Sequence, residues 1–293
     1  DTLSLHDALP IFKPEVYAPL TREKYEGRVV IRNLAKDCGY LENTQVGAKV
    51  IFPSFKLIGD VEDMTDWDGS QELKDEQMDQ MLKEATVKQI GKSVFIRDLD
   101  DVTALGNMIG EASEQTGIKI ARKVDTDLIA EALTSKLKVA VGDKNGLKAG
   151  DINMGLQMFG DEADVEDIAG IVINSLVINS MLNMPEFVDA NKTFNMAGNG
   201  VQRKGLLGYF RSIPVFVSDK GTFDKTTSEC ISFIIKKGAL AYMEKRAIKT
   251  EEDRRPKAGG SSVVANLIYA VKLVNDEGVV VLRKTVADGS KEK

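Results

Sequence analysis

Hydrophobic and polar positions change period several times along the chain, and each change marks an element. Residues 48–55 (AKVIFPSF) alternate, with Val50 and Phe52 on one parity, and predict a strand. Pro53 lacks an N–H and confines that strand to a sheet edge. Residues 87–96 alternate again, Ile90, Val94 and Ile96 sharing a parity. With the segment between them, these two strands predict a long hairpin-like extension. Over residues 103–133, Leu105, Ile109, Ala112, Ile120, Val124, Leu128 and Ala132 keep to one face of a helix, the longest the chain predicts. Gly106, Gly110 and Gly117 each cost about 1 kcal/mol relative to alanine in a helix interior. Packing must hold this helix, or it breaks near Gly117.

The second half is more mixed. GDKNG at 142–146 reads as a turn. Asp151 is placed to cap a helix over 152–159 that Gly160 stops. AGIVIN at 169–174 predicts a buried strand, Ser175 caps a helix to Met184, and Pro185 ends it. A glycine-rich loop over 198–208 precedes a strand at 213–218, and further strands are predicted at 230–236, 263–274 and 279–283. Asn275-Asp276-Glu277-Gly278 reads as a hairpin turn joining the last two. With no internal repeat and no regular βαβ alternation, the class is α+β.

Composition narrows the chemistry. The 293 residues are 43% hydrophobic and 29% charged with a net charge of −6, which describes a soluble globular protein of one large or two modest domains. An acidic total argues against a chain whose whole surface grips nucleic acid. One histidine, His6, and two distant cysteines, Cys38 and Cys230, leave no His/Cys metal cluster and no nucleophile–base relay to build. The cysteines read as small buried hydrophobes in a reducing compartment. The charge-free stretch 168–185 approaches the length of a membrane span, but Asn174, Ser175, Asn179, Ser180 and Asn183 make it a buried strand and helix. Residues 1–11 have neither a basic start nor a continuous apolar run, so no secretory signal is expected. DTLSLHDALPI resembles translated sequencing-adapter DNA, and the encoded chain is expected to begin near Phe12.

Charge is unevenly placed. Residues 60–79 carry nine acids against Lys74, and they hold the only tryptophan, Trp67. Carboxylates this dense repel one another, so the segment should project into solvent or meet a basic partner. Residues 12–36 have the opposite bias, with Lys13, Arg22, Lys24, Arg28, Arg32 and Lys36 against three acids, and read as a mildly basic, partly helical arm. Gly198 to Gly205, with Arg203 and Lys204, lacks the strand–loop–helix setting and the following Lys-Ser/Thr of a phosphate loop. Asp98, Asp100 and Asp101 are expected to cap the long helix, and Asp125 and Asp127 to form surface or interface ion pairs. No third and fourth ligands for a metal are legible beside either set.

Six segments then come into register with a known family: FKPEVYAP at 12–19, VGAKVIFPSF at 46–55, IKIARKVDTDLIAEAL at 118–133, GYFRSIPVFVSD at 208–219, GALAYMEKR at 238–246 and NLIYAVKLV at 266–274. In this order and spacing the chain resembles the major capsid proteins of tailed bacteriophages, which share the Hong Kong 97-type fold. The resemblance implies an N-terminal arm at 12–45, an extended β loop with its flanking strands at 46–97, a peripheral domain with a spine helix at 98–147 and 238–285, an axial domain at 148–237 and a charged tail at 286–293. It implies a non-enzymatic shell subunit without cofactor or metal, assembled in the bacterial host cytoplasm into pentamers and hexamers of a virion capsid. Expected partners are further copies of itself, scaffolding and portal proteins, and packaged double-stranded DNA bound without sequence specificity; no membrane is expected. Between copies, Asp60, Glu62, Asp63, Asp66 and Asp68 would face Arg22, Lys24 and Arg28. Trp67 is either an interface anchor or packed on its own loop. The mixed run 251–257 reads as a solvated face whose Arg254 and Arg255 are open to a neighbour. Some members crosslink a lysine to an asparagine, but no local motif around Lys74 or Lys83 identifies a pair. The alternative reading is a bacterial nanocompartment (encapsulin-like) shell that encloses cargo enzymes.

Overall fold

The computed structural model describes residues 14–40, 49–55, 75, 80–103, 108–160, 164–188 and 205–286. Its organising element is the helix α3, Met108–Ala132. The three-to-four repeat gives this helix a buried stripe that includes Ile109, Ala112, Ile120, Val124, Leu128 and Ala132. Gly117 does not break it. The helix α1, Pro14–Glu26, packs on α3 there, and a Cβ on Gly117 would come within 2.5 Å of the Thr21 carbonyl oxygen. Of the single helix expected over 103–133, α3 accounts for the part from Met108 to Ala132; α2 covers Asp98–Thr103, and residues 104–107 lie outside the described residues.

One face of α3 meets a four-stranded sheet of order β1-β12-β13-β4, formed by Lys36–Tyr40, Leu240–Arg255, Gly260–Leu273 and Lys88–Arg97. β12 and β13 make a long antiparallel hairpin from Leu240↔Leu273 to Arg255↔Gly260. Its turn is Pro256–Ala258 followed by Gly259 at φ 62°, a left-handed conformation that glycine adopts without a Cβ clash. The charged run 251–257 is therefore strand and hairpin tip. β4 pairs with β13 rather than with the strand at 49–55. That strand, β2 (Lys49–Phe55), pairs with β3 (Gln80–Thr86) from Lys49↔Thr86 to Phe55↔Gln80. The hairpin-like extension thus returns seven residues earlier than expected, and β2 is an edge strand, as Pro53 requires. Val50, Phe52, Ala85 and Val87 root this ribbon on Ala241, Ile268 and Ala270 of the four-stranded sheet.

A second sheet has the order β5-β14-β11-β6-β8-β7, from Leu137–Ala140, Val279–Arg283, Ser232–Lys236, Ile168–Ile173, Ile213–Val217 and Leu206–Phe210. Its central strands are continuous apolar runs because both faces are covered. Phe233, Ile235, Val172, Val279 and Val281 join the core that contains Val124, Leu128, Ile129, Tyr242 and Tyr269. Ile234, Ile171, Ile173, Val280 and Leu282 face the other way, onto Ile152, Met181 and Phe187 of the outer helices and Val177 of the turn before them. Those helices are α4 (Ala149–Gln157), α5 (Ile178–Leu182) and α6 (Pro185–Val188). A short antiparallel pair, β9 (Phe223–Asp224) with β10 (Glu229–Cys230), completes the strands.

Local expectations shift by small steps. Lys148, not Asp151, is the N-cap of α4, and Asp151 sits three places in, its carboxylate accepting the Lys148 N–H at 3.0 Å. Asn174 rather than Ser175 caps the next turn, accepting from Leu176 N–H at 3.0 Å, and Pro185 opens α6 instead of closing a helix. The turn 275–278 joins strands of different sheets and is no hairpin. The chain crosses between the sheets at 237–239 and again at 274–278, and the crossings are bonded side by side through Val274 N–H to Ala239 O (2.8 Å) and Lys236 N–H to Gly278 O (2.8 Å). Cys230 is buried as expected, whereas Cys38, in the middle of edge strand β1, is exposed.

Candidate assembly surfaces

The segment that follows α1 is held by one carboxylate. Asp125 projects from α3, only 3% exposed, and accepts the backbone N–H groups of Val30 (3.0 Å), Ile31 (3.1 Å) and Arg32 (3.2 Å). Burial pushes its pKa up to about 6, against the downward pull of the three N–H donors and the Arg32 charge. Arg32 lies with its guanidinium carbon 4.4 Å from the Tyr242 ring centroid and 5.7 Å from that of Tyr25, and reaches Asp37 (3.2 Å) and Glu244 (3.7 Å). Glu244 and Tyr242 are both raised above their ordinary range by burial, and the Tyr25 phenol is raised to about 12 for the same reason. Tyr242 stacks on Tyr269, whose hydroxyl donates to Asp127 at 2.5 Å. Burial raises the Asp127 pKa, but Lys123, Tyr269 and Lys88 outweigh it and hold the carboxyl below its usual range. Asp125 is thus a buried fastening rather than a surface ion pair, whereas Asp127, itself buried, does form ion pairs, with the exposed Lys123 (2.8 Å) and Lys88 (3.6 Å), and also ties α3 to Tyr269.

The expected contact residues divide three ways. Arg22 pairs with Glu26 on its own helix at 2.9 Å, and Lys24 with Glu114 of α3 at 3.2 Å. Arg28 is exposed just beyond α1 and has no side-chain partner among the described residues. At the hairpin tip, Arg254 meets Asp98 through two bonds of 2.5 and 2.7 Å, and Arg255 meets Asp253 at 3.3 Å. Asp98 therefore ties α2 to the tip, while Asp100 pairs with Arg97. Asp60, Glu62, Asp63, Asp66, Trp67 and Asp68 lie outside the described residues, as do Asp101's side chain and most of the loop 198–205.

Large apolar side chains remain exposed on the ribbon, Ile51 at 49% and Leu82 at 56%, and again on the outer helices of the six-stranded sheet. Neither group was flagged by the sequence pattern, because isolated apolar positions at an element surface look the same whether or not a second chain covers them. Among the described residues no three His, Cys, Asp or Glu side chains are grouped to hold a metal ion. No described helix is long and apolar enough to cross a membrane. A buried acid, Glu229, is instead taken up by Arg283 (2.7 Å from Nε) and the Thr285 N–H (2.9 Å), and the same arginine reaches Asp224 at 3.0 Å.

A two-stranded ribbon rooted on a four-stranded sheet, a long helix under that sheet, and a six-stranded sheet with outer helices together make the Hong Kong 97-type capsid fold. The capsid structure of the cyanophage P-SCSP1u superposes with a TM-score of 0.63 at 14% identity, covering 88% of this chain and 89% of that one. A virus-like particle from Pyrococcus furiosus gives 0.59 at 10% identity, over 92% and 98%. In sequence, the chain is similar to the major capsid protein of Staphylococcus phage phiMR11, 24% identical over 276 residues that span 92% of this chain and 93% of that protein. No family model matches the chain.

Proposed function

We propose that this chain is the major capsid subunit of a tailed phage, a structural protein that assembles through copies of itself into an icosahedral shell. The observation that carries this is the similarity to a phage major capsid protein along nearly the whole of both chains. The molecule's own chemistry suits the role: its titratable clusters fasten elements together and are buried or paired, and its exposed apolar side chains sit where a neighbour can cover them.

The finer reading is pentamers and hexamers that enclose double-stranded DNA without reading its sequence, built with scaffolding and portal proteins, in the host cytoplasm, and with no catalytic step. In that reading residues 12–45 are the arm and 46–97 the extended loop. The four-stranded sheet with α3 forms the peripheral unit, and the six-stranded sheet forms the axial one. That sheet draws β5 and β14 from the flanking segments, so the axial unit takes more chain than 148–237. The acidic side chains at 60–68 are assigned to a neighbour's arm, where Arg28 is the basic group with no partner in its own chain among the described residues. Rim charges of this kind set register and association rate more than affinity.

Purified protein viewed by negative-stain electron microscopy tests the shell: closed particles are expected, and a persistently monomeric protein overturns the reading. Nuclease-protected DNA in particles from infected cells is expected, and particles filled with protein cargo would turn the reading to the nanocompartment. Neutralising Asp60, Glu62, Asp63, Asp66 and Asp68 together should slow assembly and flatten its salt dependence; unchanged kinetics would sink the arm contact.

A further inference from the structure

The chain contains two Asn-Gly steps, Asn145-Gly146 and Asn199-Gly200. The second lies outside the described residues; the first sits in the turn between β5 and α4. Residues 141–148 belong to no helix or strand, so no hydrogen-bond ladder fixes the backbone there, and Asn145 is exposed to water. Its Oδ1 accepts a hydrogen bond from the Cys230 thiol at 3.4 Å, and the Cys230 N–H donates to the Lys144 carbonyl at 2.8 Å. Burial and the Asp219 charge both push the thiol pKa up, which keeps the proton on sulfur where it can be donated.

The groups that would react are free. Among the described residues neither the Gly146 N–H nor the Asn145 side-chain nitrogen donates to any acceptor. The Asp143 carboxylate accepts the Asn145 N–H at 3.3 Å and lies against Gly146, where a Cβ would stand 3.0 Å from its Oδ2. Glycine has no Cβ to hinder the approach of its nitrogen to the preceding side chain. At Asn174-Ser175 the same groups are all engaged. The Asn174 amide donates to Thr222 Oγ1 (2.9 Å), its Oδ1 accepts the Leu176 N–H (3.0 Å), and the Ser175 N–H donates to Asp219 (2.8 Å). A nitrogen already bonded to a carboxylate is not available to attack.

We propose that Asn145 is a self-modification site, at which the Gly146 nitrogen attacks Cγ of Asn145 while the Cys230 thiol steadies the charge that grows on Oδ1. The N–Cγ bond forms and the Cγ–Nδ2 bond breaks. The proton lost by the Gly146 nitrogen passes by way of water to Nδ2, which leaves as ammonia. Water then opens the resulting succinimide at one carbonyl or the other, giving aspartate or isoaspartate. Water is the sole co-reactant, and nothing is oxidised or reduced. Isoaspartate adds a methylene to the main chain between Lys144, whose carbonyl holds Cys230, and Leu147, whose N–H donates to Ser180 Oγ at 3.1 Å. The turn between these two fastenings therefore lengthens. The reaction needs no second copy, so it stands or falls apart from the shell reading.

The test incubates the full chain at neutral pH and follows each asparagine by peptide mass mapping, with enzymatic methylation of isoaspartate as a second readout. Wild type is expected to lose the Asn145 amide progressively while Asn174 keeps its own. Cys230→Ala should slow the loss about threefold to tenfold, below the roughly hundredfold effect of a strong oxyanion donor, because S–H donates weakly. Cys230→Ser, which keeps a donor, should convert faster than the alanine variant, and Gly146→Ala should convert most slowly. Asn199 in the same digests is the reference, and its rate should not change with Cys230. An Asn145 amide that persists in wild type overturns the proposal, and so does Cys230→Ala converting as fast as wild type. Should the alanine variant lose its far-ultraviolet circular dichroism, Cys230→Val, which fills the site without a donor, is read by the same outcomes.

Discussion

Gly117 lies so close beneath Thr21 that a methyl group on it would stand 2.5 Å from the Thr21 carbonyl oxygen. Backbone cannot retreat there as the end of a flexible side chain can. Gly117→Ala should therefore lower stability by about 1–3 kcal/mol through overpacking, although alanine is the better helix former by about 1 kcal/mol. Thermal unfolding of the purified chain checks the sign; a higher melting temperature would mean that α1 does not dock on this face.

Asp125 gives a pH dependence of defined direction. Its folded pKa of about 6 stands above the ordinary 3.8, so the native state binds a proton that the unfolded chain releases between those values. Stability from this group grows as pH falls from above 6 to below 3.8, by at most about 3 kcal/mol. Asp125→Asn removes that proton and turns an amide donor toward one of the three N–H groups; Asp125→Ala leaves all three without an acceptor. Unfolding free energies from denaturant titration should fall in the order wild type, Asn, Ala at pH 7, with the alanine variant lower by at least about 2 kcal/mol. The gap between wild type and Asp125→Asn should widen on acidification.

Glu229 runs the opposite way. Burial raises its pKa, but the Thr285 N–H and Arg283 outweigh that and hold it below the ordinary 4.5. Its contribution is complete above the unfolded value and is lost as pH falls through the lowered folded one. Glu229→Gln should destabilise the protein at pH 7, and the difference from wild type should shrink below about pH 4.5. A difference constant from pH 7 to pH 3 would show that the Arg283 pair is not what holds the carboxylate.

Phe52 is 1% exposed at the root of the ribbon, against Ala241, Ile268 and Ala270. Phe52→Ala should cost about 3–5 kcal/mol of the contacts that fix the ribbon to the sheet. Limited proteolysis should then cut at 49–55 and 80–86 well before the core strands, while a cleavage pattern like that of wild type would place the anchor elsewhere.

Elements defined by one strong period were legible in sequence: α3 from its three-to-four stripe, β13 and β14 from their apolar runs. What failed was the pairing of elements. Asn275 to Gly278 has the chemistry of a turn, but turn chemistry does not say which sheet the next strand enters; that is set by Val279 and Val281 filling the core beneath α3. The outer half of β12 reads only as a solvated charged face, because residues at a hairpin tip are solvated on both faces, and only its register with Gly260 to Val264 reveals a strand. The role of Asp125 depends on backbone donors more than ninety positions away, and backbone donors leave no mark on side-chain pattern. Of the expected contact residues, Arg22, Lys24, Arg254 and Arg255 were visible as charges, while their partners within the chain were not.

The position of β14 bears on when the six-stranded sheet can close during synthesis. It lies between β5 and β11, and among the described residues it is the strand partner through which β5 joins the sheet. Until residue 283 has left the ribosome, the six-stranded sheet is missing an interior strand and the support beneath α4 is incomplete. A nascent chain therefore cannot complete this sheet, or the support it gives α4, before β14 has emerged.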